Sequence, residues 1–291
     1  QVGINRETIY TCYVTEKKKL IGAVDVKDLL TAGESRLIEE IMDENVLCAR
    51  TLDDQEEVAS KIRKYGLVAI PIIDHENCLV GIVTVDDAML VMQEETTEDI
   101  SMMAGVSPNE DSYFGTSVFQ HAKNRSLWLM LLMLSATVSG EILAHYEKAM
   151  AAMPVLITFI PMLMGTSGNS GSQSSTMVIR GLAVGEIQFK DFFRVVFKEI
   201  RVALIVGVLL AIVNGVRVYL MYDQDLTLAI AIGITMIAIV CMAKCVGCTL
   251  PLLAKKIGLD PALMAAPLIS TIMDTCTILM YFAMITALYR M

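Results

Sequence analysis

The sequence predicts an α-helical polytopic membrane domain with five transmembrane helices, preceded by a smaller α+β domain. Hydrophobic residues make up 55% of the 291 residues and the mean hydropathy is +0.57, yet the formal net charge is −9. Residues 1–125 hold 12 Lys and Arg against 23 Asp and Glu, whereas residues 126–291 hold 11 against 9. An acidic water-facing domain followed by a nearly neutral membrane domain accounts for both figures.

This composition excludes several functional classes. An ordinary soluble enzyme would be less apolar, and a nucleic-acid-binding protein would need a basic face. Seven cysteines spread over both parts do not indicate a disulfide framework. An intramembrane zinc protease needs a His-Glu-x-x-His helix, which His75, His121 and His145 cannot supply. We therefore expect neither an enzyme nor a nucleic-acid partner.

The acidic part contains an internal repeat. Residues 20–30 and 79–89 are alike, each pairing a short apolar strand that contains a glycine with the start of a helix. Before the second copy, residues 53–65 have helical spacing and residues 67–73 have the composition of a buried strand. A turn at residues 74–77 separates the two strands. The order helix, strand, turn, strand, helix is therefore predicted to occur twice.

This repeat resembles a tandem pair of CBS regulatory modules, with residues 1–35 as the later part of a first module and residues 36–100 as a second. The resemblance implies an adenine nucleotide such as ATP as a candidate ligand, bound through a Ser/Thr-x-x-Asp motif. Thr84 and Asp87 match that motif, whereas the first module has Asp25 where the hydroxyl should be. The alternative role for Thr84 is that of a helix N-cap.

Acidic side chains are dense around the second module. Ten of them occur within 38 positions, among them Asp74, Glu76, Asp86, Asp87 and Glu110. Carboxylate oxygens are hard ligands of the kind that Mg²⁺ and Ca²⁺ prefer. The surface is either one whose carboxylates repel until divalent cations bridge them, or a solvated acidic face.

The membrane part begins after a connecting region at residues 101–126, in which we expect a helix over residues 110–126. Within residues 127–291, five apolar spans are long enough to cross a bilayer, which takes about 20 residues. They lie at residues 127–146, 152–179, 202–221, 226–253 and 262–288. Positive residues collect on one side of these spans, which places the acidic domain in the cytoplasm and the C-terminus outside.

Two features of the spans are atypical of helices that face lipid. Residues 165–176 form a polar, glycine-rich stretch that includes Asn169 and Gln173, and it predicts a pore lining or, alternatively, close helix packing. Asp274 lies roughly 20 Å along a helix counted from Pro261, at about 1.5 Å per residue. An acid at that depth indicates cation binding, and a structural salt bridge with Lys244 is the alternative.

Three segments resemble the signature of the MgtE family of magnesium channels: residues 165–180, 247–251 and 260–274. The order CBS pair, connecting helix and five spans resembles that family too. The resemblance implies a homodimer in a cell membrane, with the pore between subunits and Mg²⁺ uptake as the function. Members of the family also carry a helical N-terminal domain, so we expect this chain to be N-terminally truncated.

The resemblance also implies roles for individual residues. Asp274 from both subunits would hold a hydrated Mg²⁺, an ion that keeps several waters in octahedral geometry. The pore-lining positions would be Gly165, Gly168, Asn169, Ser172, Gln173, Thr176, Ser270 and Thr271. Mg²⁺ bound at the sensor acids Asp74, Glu76, Asp86, Asp87 and Glu110 would close the pore. Co²⁺ and Mn²⁺ are further candidate ions, and an exchanger that couples Mg²⁺ to Na⁺ or H⁺ is the alternative function.

Overall fold

The computed structural model describes residues 10–33, 35–109, 111–222 and 225–289. The chain divides into two compact units, Gln1–Thr97 and Glu98–Met291. The first unit holds small sheets with short helices, and the second is helical.

The first unit opens with a β-hairpin. Strands β1 (Thr11–Glu16) and β2 (Lys19–Asp25) are antiparallel, and helix α1 (Val26–Thr31) follows directly. Lys17 and Lys18 have φ angles of 48° and 72°. Two consecutive positive φ angles are typical of the tight turns whose twist matches that of paired strands.

The second half of this unit has the predicted order of elements. Strand β3 (Ala49–Arg50), helix α2 (Gln55–Tyr65), strands β4 (Ala69–Ile73) and β5 (Leu79–Thr84), and helix α3 (Val85–Met103) follow one another. Strand β4 pairs with β3 in parallel and with β5 in antiparallel register. The Asp54 carboxylate accepts a hydrogen bond from the amide of Glu56 and caps α2, which ends at Gly66 in the left-handed conformation. Apolar side chains of β3, α2, β4 and α3 form the core.

The two halves of the first unit are joined at the turn between β4 and β5. The amide of Leu20 donates to the carbonyl of Asn77, and the amide of Leu79 donates to the carbonyl of Lys18. The hairpin of the first half therefore holds the turn that contains Asp74 and Glu76.

The second unit contains five long helices, as the sequence predicts. They are α4 (Val118–His145), α6 (Ile160–Ala183), α7 (Phe192–Met221), α8 (Leu226–Lys256) and α9 (Ala266–Tyr289), with the short α5 (Glu147–Ala152) between the first two. Among the described residues, three helical runs are long and apolar enough to cross a membrane: Val118–His145, Leu226–Lys256 and Pro261–Leu288. Helix α6 carries the polar stretch instead, and α7 carries five charged side chains.

The expected connecting helix over residues 110–126 does not form as such. Residues 104–109 and 111–117 are turns and irregular segments, and α4 begins only at Val118. The Ser117 hydroxyl accepts a hydrogen bond from the amide of Gln120 and so sets the start of the helix. Gly105, with φ of 69°, ends the preceding turn, and the indole of Trp128 and the ring of Pro267 pack against it.

Helix α6 packs against both α8 and α9, α7 packs against α8, and α4 packs against α9. Where α6 crosses α8, Gly171 and Gly247 meet backbone to backbone, and a Cβ at Gly247 would overlap the carbonyl of Gly171. Small residues allow such an approach between membrane helices. The polar stretch of α6 is therefore held close to two neighbouring helices.

Candidate cation-conduction site

The polar stretch of α6 has two faces. Gly165, Asn169, Gln173 and Thr176 are exposed in the single chain, and Ser172 is partly exposed. These positions recur at helical spacing and so form one stripe. Gly168 is buried, and its neighbours on the buried face include Ser167, Gly171, Ser174 and Ser175. The structure thus separates Gly168 from the other predicted lining residues of α6.

The buried face holds α6 to α9. The Thr277 hydroxyl donates to the Ser167 hydroxyl at 2.7 Å. A Cβ built on Gly168 would lie 3.2 Å from the Ser270 Oγ, so the glycine brings Ser270 against α6. Close packing through small residues, the alternative interpretation of the stretch, therefore describes this face, while the exposed stripe leaves polar groups uncovered in a membrane helix.

The chain breaks just before α9. Residues Pro261–Met264 form a single 3₁₀ turn capped by the Asp260 carboxylate, and Ala265 is extended. The Ser175 hydroxyl of α6 donates to the carbonyl of Met264 at 2.5 Å and satisfies an acceptor that the break leaves free. Because the regular helix starts at Ala266, Asp274 lies eight residues, or about 12 Å, into it rather than the expected 20 Å.

Asp274 is one helical turn beyond Ser270 on α9, so the two share a face of that helix. The carboxylate is partly exposed, and it makes no hydrogen bond or ion pair with any other described residue. The next residue, Thr275, shares a 2.6 Å hydrogen bond with Ser139 of α4, which fixes the helix there. Thr271 is buried and its hydroxyl donates to the carbonyl of Pro267, so it faces away from the exposed stripe.

Lys244 does not pair with Asp274. Its ammonium lies 3.9 Å from the Glu199 Oε2 of α7 and 3.3 Å from the Ser174 Oγ of α6, and the Ser174 hydroxyl donates to the same Glu199 oxygen at 2.5 Å. The salt-bridge hypothesis for Asp274 is therefore wrong. Glu199 lies outside the predicted third span, which was expected to begin at residue 202, whereas α7 begins at Phe192. A lysine at membrane depth was the signal that an acid should lie nearby.

The predicted sensor acids fall at two ends of strand β5. Asp74 and Glu76 lie in the turn before it, and Asp86 and Asp87 lie in the first turn of α3 after it. Six strand residues separate the two pairs by roughly 20 Å. Glu110 lies outside the described residues. Within the described part of one chain, no group of three or more His, Cys, Asp or Glu side chains is placed to hold a metal ion.

Hydrogen bonds hold two of these acids in their charged form. The amides of Cys78 and Glu76 donate to the Asp74 carboxylate at 2.8 and 2.9 Å and lower its pKa below the usual range. The nearby Thr84 hydroxyl, which itself donates to Asp87, and the backbone amides of Asp86 and Asp87 lower the pKa of Asp86. Both acids therefore stay ionised near neutral pH, as a cation ligand must.

The two residues of the nucleotide motif, Thr84 and Asp87, form a hydrogen bond with each other. The Thr84 hydroxyl is buried and donates to the Asp87 Oδ2 at 2.8 Å, rather than capping an amide of α3. A separate cleft of about 810 Å³ opens in the first unit and is lined by residues of both halves, including Asp25, Lys27 and Pro71. Thr84 and Asp87 are not among its lining residues.

Comparisons with known proteins agree with this architecture. Residues 160–284 match the family model MgtE, described as divalent cation transporter, and residues 38–94 match the CBS domain. The magnesium transporter MgtE of Thermus thermophilus is 37% identical over 95% of this chain and 61% of its own length. The magnesium transporter MgtE of Bacillus subtilis is 33% identical over 96% of this chain and 61% of its own length.

A crystal structure of the cytosolic domain of the Mg²⁺ channel MgtE in complex with ATP is 45% identical, over 29% of this chain and 35% of that one, at a TM-score of 0.28. The chain spans 61% of the length of the two relatives. The two family matches follow one another in the order in which the α+β and helical units occur. The chain thus contains a CBS domain and, at residues 160–284, a domain of the MgtE family within a polytopic α-helical membrane part.

Proposed function

We propose that the chain is the CBS and membrane part of a Mg²⁺-selective channel that mediates magnesium uptake. The observation that carries the proposal is the uncompensated Asp274 carboxylate, which shares a face of α9 with Ser270 at the contact with α6. An unpaired acid at membrane depth is expensive unless it serves an ion or a water-filled path. The similarity to magnesium transporters supports Mg²⁺ as that ion.

A homodimer completes this site in the proposal. One chain offers one deep carboxylate here, and a second copy facing it would supply another without removing the waters that Mg²⁺ retains. The exposed stripe of Gly165, Asn169, Gln173 and Thr176 supports the same arrangement, because polar groups at membrane depth must face protein or water. Binding through water also keeps affinity modest, so that the ion can leave.

Cytoplasmic Mg²⁺ closes the channel by binding the acids of the CBS domain. The pairs Asp74 with Glu76 and Asp86 with Asp87 are too far apart to share one ion within a chain, so ions would bridge each pair to carboxylates elsewhere, including those of a second subunit. Without Mg²⁺ these surfaces repel. An ion shifts the equilibrium only by its differential affinity for the closed and open states.

The orientation follows from the charges at the helix ends. Arg180 ends α6, Arg194 and Lys198 begin α7, and Lys255 and Lys256 end α8. These ends face the cytoplasm by the positive-inside rule. In a cell membrane the CBS domain is then cytoplasmic and the C-terminus external. ATP or another adenine nucleotide is a candidate ligand of the CBS domain, at Thr84 and Asp87 or in the cleft beside Asp25.

The test is Mg²⁺ influx into liposomes that contain the purified chain and a Mg²⁺-sensitive dye. Asp274→Ala should abolish Mg²⁺ influx, and Asp274→Glu should retain part of it. Glu141→Gln, which removes an exposed acid from α4, is the matched control. Unchanged influx in Asp274→Ala would refute the assignment. Influx that requires an opposing Na⁺ or H⁺ gradient would instead establish the exchanger, and competition by Co²⁺ or Mn²⁺ would define selectivity.

A further inference from the structure

A polar cavity lies in the membrane unit, and Asp274 is not among its lining residues. It has a volume of about 580 Å³ and lies between the end of α6, the following connection and the first third of α7. Its floor is formed by the Ser174, Glu199 and Lys244 group, and its rim carries Arg180, Arg194 and Lys198.

The rim carries three cations, Arg180, Arg194 and Lys198, against two carboxylates, Glu186 and Asp191, and so has one positive charge in excess. Lys244 is already paired with Glu199 at the floor, and the Asp191 carboxylate accepts a hydrogen bond from the amide of Gln188. Arg180, Arg194 and Lys198 make no ion pair with any described residue, and the other acid that lines the cavity is Glu186.

Two of the rim cations are spaced so that an anion would relieve their repulsion. Arg194 and Lys198 are four residues apart on α7 and share a face, where like charges are destabilising by a few tenths of a kcal/mol in a helix. Arginine presents a fork of donors that matches phosphate oxygens, and lysine adds a point charge. The rim therefore has the chemistry of a phosphate site.

One wall of the cavity is apolar and exposed. Met177 of α6 is 59% exposed and Val202 of α7 is 37% exposed, and both line the cavity. A water-soluble phosphate would leave these side chains uncovered, whereas a phospholipid would cover them with its glycerol and acyl groups. The rim cations also stand at the helix ends that the positive-inside rule places at the cytoplasmic headgroups.

We propose that this cavity binds the phosphate headgroup of an anionic phospholipid of the cytoplasmic leaflet. Arg180, Arg194 and Lys198 hold the phosphate, and the exposed wall of Met177 and Val202 contacts the acyl chains. Basic pockets between membrane helices on the cytoplasmic side bind such headgroups through charge that water screens only partly. The cavity shares Gln173 with the exposed stripe of α6 but is not lined by Asp274, so the lipid site does not depend on which ion the protein carries.

The test is a titration of the purified full chain, in zwitterionic detergent, with short-chain phosphatidylglycerol. The thermal unfolding midpoint is measured at each lipid concentration. Phosphatidylglycerol should raise the midpoint saturably, and phosphatidylcholine at equal concentration should not. Arg194→Gln with Lys198→Gln should weaken the apparent affinity about tenfold or more, because each basic residue near an anionic surface contributes strongly.

The matched control is Lys190→Gln with Arg201→Gln, which removes the same charge from the same segment at positions that do not line the cavity. It should bind phosphatidylglycerol like the unmodified chain, as should the charge-preserving variant Arg194→Lys with Lys198→Arg. Equal loss in both glutamine variants would overturn the site. Saturation by inorganic phosphate at lower concentration than by phosphatidylglycerol would overturn the lipid assignment.

Discussion

Glu199 and Asp274 are both carboxylates on long helices of the membrane unit, but the chain surrounds them differently. Glu199 is 16% exposed and receives the Lys244 ammonium and the Ser174 hydroxyl, so three helices meet at one neutral group. Asp274 has no such partner among the described residues. It lies on the same face of α9 as Ser270, which packs against the polar stretch of α6. The chain compensates the first acid itself and leaves the second unpaired among the described residues, which is why we propose a ligand for Asp274 and a structural role for Glu199.

The largest expected loss of stability comes from removing Lys244 from the group that it forms with Glu199 and Ser174. Lys244→Met leaves Glu199 charged and poorly solvated, and removing one partner of a buried pair typically destabilises by about 3–5 kcal/mol. We expect about 3 kcal/mol, since Glu199 retains some exposure. The measurement is thermal or denaturant unfolding of the purified chain in detergent.

Two controls accompany Lys244→Met. Adding Glu199→Gln should recover most of the lost stability, because no unpaired charge then remains. Lys255→Met, at an exposed lysine of the same helix, should change little. Equal stability of Lys244→Met and the unmodified chain would show that the pair does not hold the three helices together.

The next largest loss of stability should come from the close crossing of α6 and α8 at Gly171 and Gly247, which keeps Ser174 within reach of Lys244. Gly247→Ala places a methyl group against the carbonyl of Gly171, and overpacking of this kind costs about 1–3 kcal/mol. Gly165→Ala is the control, since a Cβ there meets nothing within 4 Å. The two variants are compared by unfolding midpoint, and a destabilisation by Gly165→Ala as large as that by Gly247→Ala would contradict the tight crossing of α6 and α8.

Asp274→Asn should scarcely alter stability. No described group loses a partner, so the free energy of unfolding should change by less than about 0.5 kcal/mol, as at positions without special contacts. Mg²⁺ influx, measured in the same preparation, should nevertheless fall. A loss of stability comparable with that of Lys244→Met would mean that Asp274 has a structural partner after all.

The smallest effect concerns Asp74 of the CBS domain, whose carboxylate accepts hydrogen bonds from backbone amides. The pKa of Asp74 is lower in the folded protein than in the unfolded chain. Its contribution to stability is therefore present above the unfolded pKa of about 3.9 and is lost as pH falls through the folded value. Asp74→Asn keeps the acceptor oxygen but no longer titrates, so the unfolding midpoint should fall less steeply with acidification below about pH 4. Glu76→Gln is the control, and identical pH profiles for Asp74→Asn and the unmodified chain would contradict the effect.

Local pattern predicted most of the fold. The helix within residues 53–65, the strands on either side of the Asp74 turn and five long helices follow from periodicity and from turn residues. These elements were recognisable because such signals act within a few residues. The start of α4 at Val118 was missed, because the turn that ends at Gly115 and the Ser117 cap set a later start than the expected one at residue 110.

Pairings between distant elements could not be predicted in the same way. The sequence offered Lys244 and Asp274 as two deep charges, but the choice between Glu199 and Asp274 depends on which helices pack together. The separation of Asp74 from Asp86 depends on the length of β5 between them, and the burial of Gly168 depends on the rotation of α6 against α9. The residue types indicated which side chains could bind a cation, whereas the packing of distant elements determines which of them lie close together.

The indole of Trp128, which packs beside Gly105 and Pro267, gives this protein a built-in optical probe. It is the sole tryptophan of the chain, and its Nε1 is buried without a hydrogen-bond partner among the described residues. Intrinsic emission excited at the tryptophan band therefore reports the surroundings of one ring, which lies against Gly105 together with Pro267 of the helix that carries Asp274. A shift of that helix would change the colour or quenching of the emission without any label.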